Sequence, residues 1–136
     1  MGRGIIPKKI LIIEDEPDFA KALRIRLQDS GYFVMTACDA IQAVSKVSKE
    51  KPDLIILDIR IPAGGGFSVA EKIKRSTHTC SIPIIFLTAS SDEADEKRAM
   101  RLGALFYFRK PMCDAEFLEA VRSALESKLQ IPNKRA

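Results

Sequence analysis

No apolar run in this chain approaches the ~20 residues of a membrane-spanning helix. The opening residues, Met1-Gly-Arg-Gly-Ile-Ile-Pro7, lack a signal-peptide h-region, and Ile6 stands where a myristoylation motif needs Ser or Thr. Both absences point to a cytoplasmic protein with no membrane contact. Cysteine is scarce. Cys38, Cys80 and Cys113 are odd in number and widely spaced, with no metal-ligand pattern, so they read as packed, reduced thiols rather than a disulfide framework. The lone histidine, His78, falls in the polar stretch 76–81 and reads as a surface residue. The net charge of +4 is mild and its basic residues are spread out, with a small cluster at Lys134-Arg135. That pattern reads as solvated surface and argues against direct nucleic-acid binding.

What is present is a soluble globular composition. Hydrophobic residues make up 46% and charged residues 29%, and 136 residues suit one domain with one core. The central feature is Leu54-Ile-Ile-Leu-Asp58, an apolar run that ends in a carboxylate. A run this short, between Pro52-Asp53 and Ile61-Pro62, reads as a strand buried on both faces of a parallel sheet. Ligands of open α/β sheets bind outside the carboxyl ends of the strands, which is where Asp58 falls.

The rest alternates. Ile10–Ile13 is a first strand, ending in Glu14-Asp15. Phe19, Leu23 and Leu27, with Ala20, mark one face of a helix that Gly31 stops. Tyr32–Ala37 is a second strand. Asp39 caps a helix with a stripe of Ile41, Val44 and Val47, which closes at 49–52. After Asp58 come the loop 62–66 and a helix burying Val69, Ala70 and Ile73. Ile84–Thr88 is the fourth strand, and 90–93 reads as a capping box for a helix ending at Gly103. Leu105–Phe108 is the fifth strand, and Asp114 caps a last helix with Leu118, Val121 and Leu125 inward. Strict strand–helix alternation predicts a doubly wound parallel sheet in a single α/β domain over 8–129, with flexible termini at 1–7 and 130–136.

Parallel strands bring their carboxyl ends to one edge. Glu14, Asp15, Asp58, Thr88, Ala89 and Lys110 should therefore meet. Three carboxylates against one lysine leave a charge of −2, which a hard divalent cation relieves. Mg²⁺ takes oxygen ligands and keeps positions for a phosphate, so the set suits phosphoryl transfer, with a carboxylate as nucleophile. Taken singly the residues have plainer readings. Glu14 or Asp15 could cap the first helix, Asp58 could be a turn residue, Thr88 a strand residue and Lys110 a surface charge.

With Glu14-Asp15, Asp58 followed by Pro62, Gly66, Thr88-Ala89 and Tyr107-x-x-Lys110-Pro111, the chain resembles the receiver domain of bacterial response regulators. The resemblance spans roughly residues 8 to 129. It implies a flavodoxin-like (βα)5 fold with strand order 2-1-3-4-5 and a role as a signalling switch rather than a metabolic enzyme. It implies Asp58 as the phosphoacceptor, fed by a sensor histidine kinase or phosphotransfer protein. Asp15, Glu14 through water, Asp58 and the Arg60 backbone carbonyl would hold Mg²⁺. Lys110, the Thr88 hydroxyl and the Ala89 N–H would bind phosphoryl oxygens. Thr88 and Tyr107 would switch the face of helix four, strand five and helix five toward an output partner or a phosphorylation-linked homodimer. Lys110-Pro111 would be cis.

Three features depart from the family pattern. Arg60, two residues after Asp58, is expected to shield a phosphoryl group. Gly64-Gly65-Gly66 reads as a permissive turn with no role, with a mobile loop as the other reading. Met112-Cys113 stands where an aromatic is common. The competing function is a receiver-like binding module that takes no phosphate. A haloacid-dehalogenase-type phosphatase is disfavoured because Arg60 stands where its second acid belongs, and a flavodoxin because Glu14-Asp15-Glu16 would repel a flavin phosphate.

Overall fold

The computed structural model describes residues 6–127. The proposed flexible termini fall almost wholly outside them, as do residues 128 and 129 of the expected domain. Five strands alternate with five helices: β1 (Lys9–Ile13), α1 (Pro17–Asp29), β2 (Phe33–Ala37), α2 (Ala40–Glu50), β3 (Leu54–Asp58), α3 (Gly65–Arg75), β4 (Ile84–Thr88), α4 (Glu93–Arg101), β5 (Phe106–Arg109) and α5 (Asp114–Ser127). The strands form one sheet in the order β2-β1-β3-β4-β5, and every pairing is parallel. The expected topology is the observed one.

The pleat sorts the apolar runs onto two cores. Leu11, Ile13, Ile55, Leu57, Ile84 and Phe86 face α2, α3 and α4. Ile10, Ile12, Leu54, Ile56, Ile85 and Leu87 face α1 and α5. β3 and β4 are buried along their whole length, which is why they read as continuous apolar runs.

The helix starts follow local chemistry. Pro17 opens α1, where a missing N–H costs nothing, and Glu16 is the N-cap, without a side-chain cap bond. The Asp39 carboxylate accepts from Gln42 N–H at 2.8 Å and caps α2 as expected. At α4 the expected box is a single cap. Asp92 accepts from Ala94 N–H, and Ser90 Oγ accepts from Asp92 N–H. α5 begins at Asp114 itself, whose carboxylate pairs with Arg26 of α1.

Two expectations are corrected. The buried stripe of α2 is Ala40, Ala43 and Val47, while Ile41 is 72% exposed and Val44 only partly buried. α2 lies close against α3, and small side chains permit that approach. The three cysteines are free, as expected, but exposed rather than packed.

The glycine-rich loop has a structural role. A Cβ on Gly66 would fall 2.3 Å from the Asp58 carbonyl oxygen and 2.8 Å from Ile59 Cα. Gly66 N–H donates to Ile59 O at 2.7 Å, so the start of α3 presses directly on the end of β3. Gly64 and Gly65 both have positive φ, which admits the sharp turn between them.

Candidate functional site

The register of the sheet brings the strand ends together. Ile13 pairs with Leu57, Asp58 with Leu87, and Thr88 with Arg109. Glu14 and Asp58 are buried at this edge, while Asp15 is exposed. Ligand oxygens of Glu14, Asp15 and Asp58 lie within 4.8 Å of one another.

Lys110 enters from the end of β5. Its backbone N–H donates to the Thr88 carbonyl at 2.8 Å, which ties the ends of β4 and β5 together. Its ammonium donates to Glu14 Oε1 at 2.7 Å and to Asp58 Oδ2 at 3.0 Å, with Glu16 at 4.0 Å. Lys110-Pro111 is cis. The remaining carboxylate oxygens are held by backbone: Glu16 N–H donates to Glu14 Oε2, and Arg60 N–H to Asp58 Oδ1 at 3.0 Å. Neither Glu14 nor Asp15 caps α1, so that plainer reading is set aside.

The electrostatics follow from burial. Burial raises the Glu14 carboxyl to about 7, against the hydrogen bond from Lys110, and the nearby Asp58 charge adds to the rise. Burial works against the Lys110 ammonium, but its bonds to Glu14 and Asp58 outweigh that and hold it above its ordinary range. Asp15 makes no hydrogen bond or ion pair among the described residues. One lysine thus faces three clustered carboxylates, one of them free. An all-oxygen donor set short of positive charge fits a hard divalent cation such as Mg²⁺.

Thr88 is fully buried at the end of β4, and its Oγ1 accepts from Ser90 N–H at 2.9 Å. Ala89 follows it, exposed. Tyr107 packs on the core face shared with Phe86, its register partner. Its hydroxyl is buried and has no hydrogen-bond partner among the described residues. Burial, and then the Asp95 carboxylate, push the phenol up. The Arg60 side chain is two-thirds exposed, with its guanidinium 3.7 Å from the Asp95 carboxylate of α4. His78 is exposed, as expected.

Three contributors are not evident in the sequence. Phe19 reads as core, yet its ring centroid lies 4.2 Å from the Lys110 ammonium. Glu16 sits at the rim, and only its place beside the acid pair hints at that. Asp95 resembles any acid in the first turn of a helix.

Known proteins match this arrangement. The response regulator receiver domain model matches residues 10–122. The alkaline phosphatase synthesis transcriptional regulatory protein PhoP of Bacillus subtilis (strain 168) is 37% identical over 118 residues, covering 87% of this chain and 48% of its own length. The DNA-binding dual master transcriptional regulator RpaA of Synechocystis sp. is 36% identical over 124 residues, covering 91% of this chain and 52% of its own. The chain spans about half the length of the curated relatives it matches. Among solved structures, the receiver domain of the sensor histidine kinase PA1611 from Pseudomonas aeruginosa PAO1 superposes with a TM-score of 0.82 at 30% identity. That comparison covers 90% of this chain and all of the other, whose active-site cleft holds a magnesium ion. The chain belongs to the response regulator receiver domain family, the signalling switches of two-component systems.

Proposed function

We propose that Asp58 accepts a phosphoryl group from a phosphohistidine on a partner sensor histidine kinase or phosphotransfer protein. Receiver domains pair with histidine kinases. The observation that carries the reading is the Lys110 ammonium bridging Glu14 and Asp58 beside the Asp15 carboxylate. An Asp58 carboxylate oxygen attacks phosphorus and the P–N bond breaks. Its electron pair stays on the donor imidazole, which takes up a proton. Mg²⁺, when bound, supplies positive charge to the phosphoryl oxygens. Asp15, Asp58, the Arg60 carbonyl and, through water, Glu14 would hold it.

The chain's own groups do the rest. Lys110 already donates to Asp58 and takes a phosphoryl oxygen. The Thr88 hydroxyl and the Ala89 N–H take others. Thr88 shifts toward the new anion, Tyr107 follows, and the face of α4, β5 and α5 presents itself to an output partner or a second copy. The receiver unit is residues 8–129. It does not itself touch nucleic acid, and a DNA-binding output belongs to another part of a regulator like PhoP or RpaA. Its covalent chemistry is confined to its own phosphorylation and dephosphorylation. Among the described residues, no helix is long and apolar enough to cross a membrane, and we place the protein in the cytoplasm.

Intact-mass spectrometry after incubation with Mg²⁺ and acetyl phosphate tests this. The expected result is one added phosphoryl group in the parent and none in Asp58→Asn. No uptake, even with several histidine kinases supplied, would leave a binding module that takes no phosphate.

A further inference from the structure

Helix α4 is lightly anchored, with Ala99 its one buried residue. Arg98, the residue before it, reaches across to α3. Its guanidinium carbon lies 4.4 Å from the centroid of the Phe67 ring, and its Nη2 donates to Glu71 Oε2 at 3.2 Å. The two contacts differ in weight. The Arg98 and Glu71 side chains are 48% and 37% exposed, so their ion pair contributes little. Phe67 is buried, and a cation over a desolvated ring is held more firmly. Phe67 is itself fixed on two sides. It follows Gly66, whose N–H donates to Ile59 O at 2.7 Å and where a Cβ would collide with the Asp58 carbonyl oxygen. Its ring packs on Phe86 of β4 with centroids 5.7 Å apart, and Phe86 is the register partner of Tyr107.

We infer that Arg98 is a positioning residue that ties α4 to the acceptor strand through the Phe67 ring. The inference deepens the reading of Asp58 as phosphoacceptor and rests on it for its second half. Each link is a contact: the end of β3 presses on Gly66, Gly66 is bonded to Phe67, and the Phe67 ring lies under Arg98 of α4. A close-packed interior passes small displacements on instead of absorbing them. Gly66 leaves no slack between β3 and α3, so a shift of the acceptor backbone when Asp58 gains a phosphoryl group moves the Phe67 ring. The guanidinium resting on that ring carries the shift to α4. Glu71 is an accessory contact.

Hydrogen exchange of the α4 amides tests this in the full chain, with β3 amides in the same samples as the reference for global unfolding. In the unmodified protein, Arg98→Ala should speed α4 exchange about two- to tenfold and leave β3 unchanged. Alanine is the better helix former, so helix propensity alone would act the other way. Phe67→Leu should give a similar increase, and the double variant should exchange no faster than the faster single one. Arg98→Lys, which keeps a cation, should restore most of the protection, and Glu71→Gln should stay near the parent. If Phe67→Leu also loosens β3, the Arg98→Ala, Arg98→Lys and Glu71→Gln series decides alone, because Phe67 and Glu71 are the guanidinium's partners among the described residues. Parental exchange in Arg98→Ala, equal loss of protection in its β3, additive effects, or a Glu71→Gln effect as large as that of Arg98→Ala would overturn the inference. In a second arm, Mg²⁺ and acetyl phosphate should change α4 exchange in the parent and leave it unchanged in Arg98→Ala. A parent shown by mass to be phosphorylated with α4 unchanged, or the same change in both proteins, also overturns it. If the mass shows no phosphoryl group, the phosphoacceptor reading fails, while the unmodified series still decides whether Arg98 holds α4 through Phe67.

Discussion

The Lys110 ammonium lies 2.7 Å from a Glu14 carboxylate oxygen, though 96 positions separate the two residues in the chain. The same ammonium reaches Asp58 at 3.0 Å, so one cation joins the ends of β1, β3 and β5. Lys110→Met removes it. A hydrogen bond to a charged group contributes about 1.5–3 kcal/mol, so phosphoryl uptake should slow on the order of 10- to 100-fold. Time-resolved intact mass with acetyl phosphate measures the rate, and uptake at the parental rate would remove Lys110 from the chemistry.

Glu14 should make the metal-free protein pH-sensitive. Its carboxyl is raised from 4.5 to about 7, chiefly by burial. A group whose folded pKa lies above its unfolded value favours the folded chain fully below pH 4.5, and that contribution is lost as pH climbs through about 7. Glu14→Gln should flatten this part of the stability curve. Urea midpoints across the window, taken in EDTA, compare the two proteins. Parallel curves would show that Glu14 titrates normally.

The contact of Gly66 with the end of β3 predicts a cost for any side chain there. A methyl group would meet the Asp58 carbonyl oxygen at 2.3 Å, and backbone cannot swing aside as a flexible side chain can. Gly66→Ala should destabilise by about 1–3 kcal/mol and displace the acceptor. Urea melts give the first effect and phosphorylation rates the second. A variant with parental stability would mean that the β3–α3 loop is loose.

Ile41 and Ile56 carry similar side chains in opposite environments. Ile56 is fully buried in β3 and Ile41 is 72% exposed on α2. Ile56→Ala should cost about 2–5 kcal/mol, whereas Ile41→Ala should stay within about 0.5 kcal/mol. Equal losses would return Ile41 to the buried stripe.

The sequence by itself determined the alternation of elements, the sheet topology through the family resemblance, and which residues stand at strand ends. β3 and β4 are sandwiched between helices, so every residue in them is apolar until the strand leaves the core, and the first polar residue marks that exit. Asp58 and Thr88 were legible for this reason. β5 was less so: its four residues are only partly buried or exposed, and the observed strand lies one residue later than its apolar pattern suggests. The α2 stripe misled because bulk was taken for burial, whereas close packing against α3 selects Ala40 and Ala43. Tertiary structure alone decided which carboxylates Lys110 joins, that Glu14 is buried enough to resist ionising, that Phe19 lies by the ammonium, and that Arg60 turns to Asp95. These are distances between residues remote in sequence. Local periodicity reports which face a side chain takes, whereas the packing of helices on the sheet sets what that face meets.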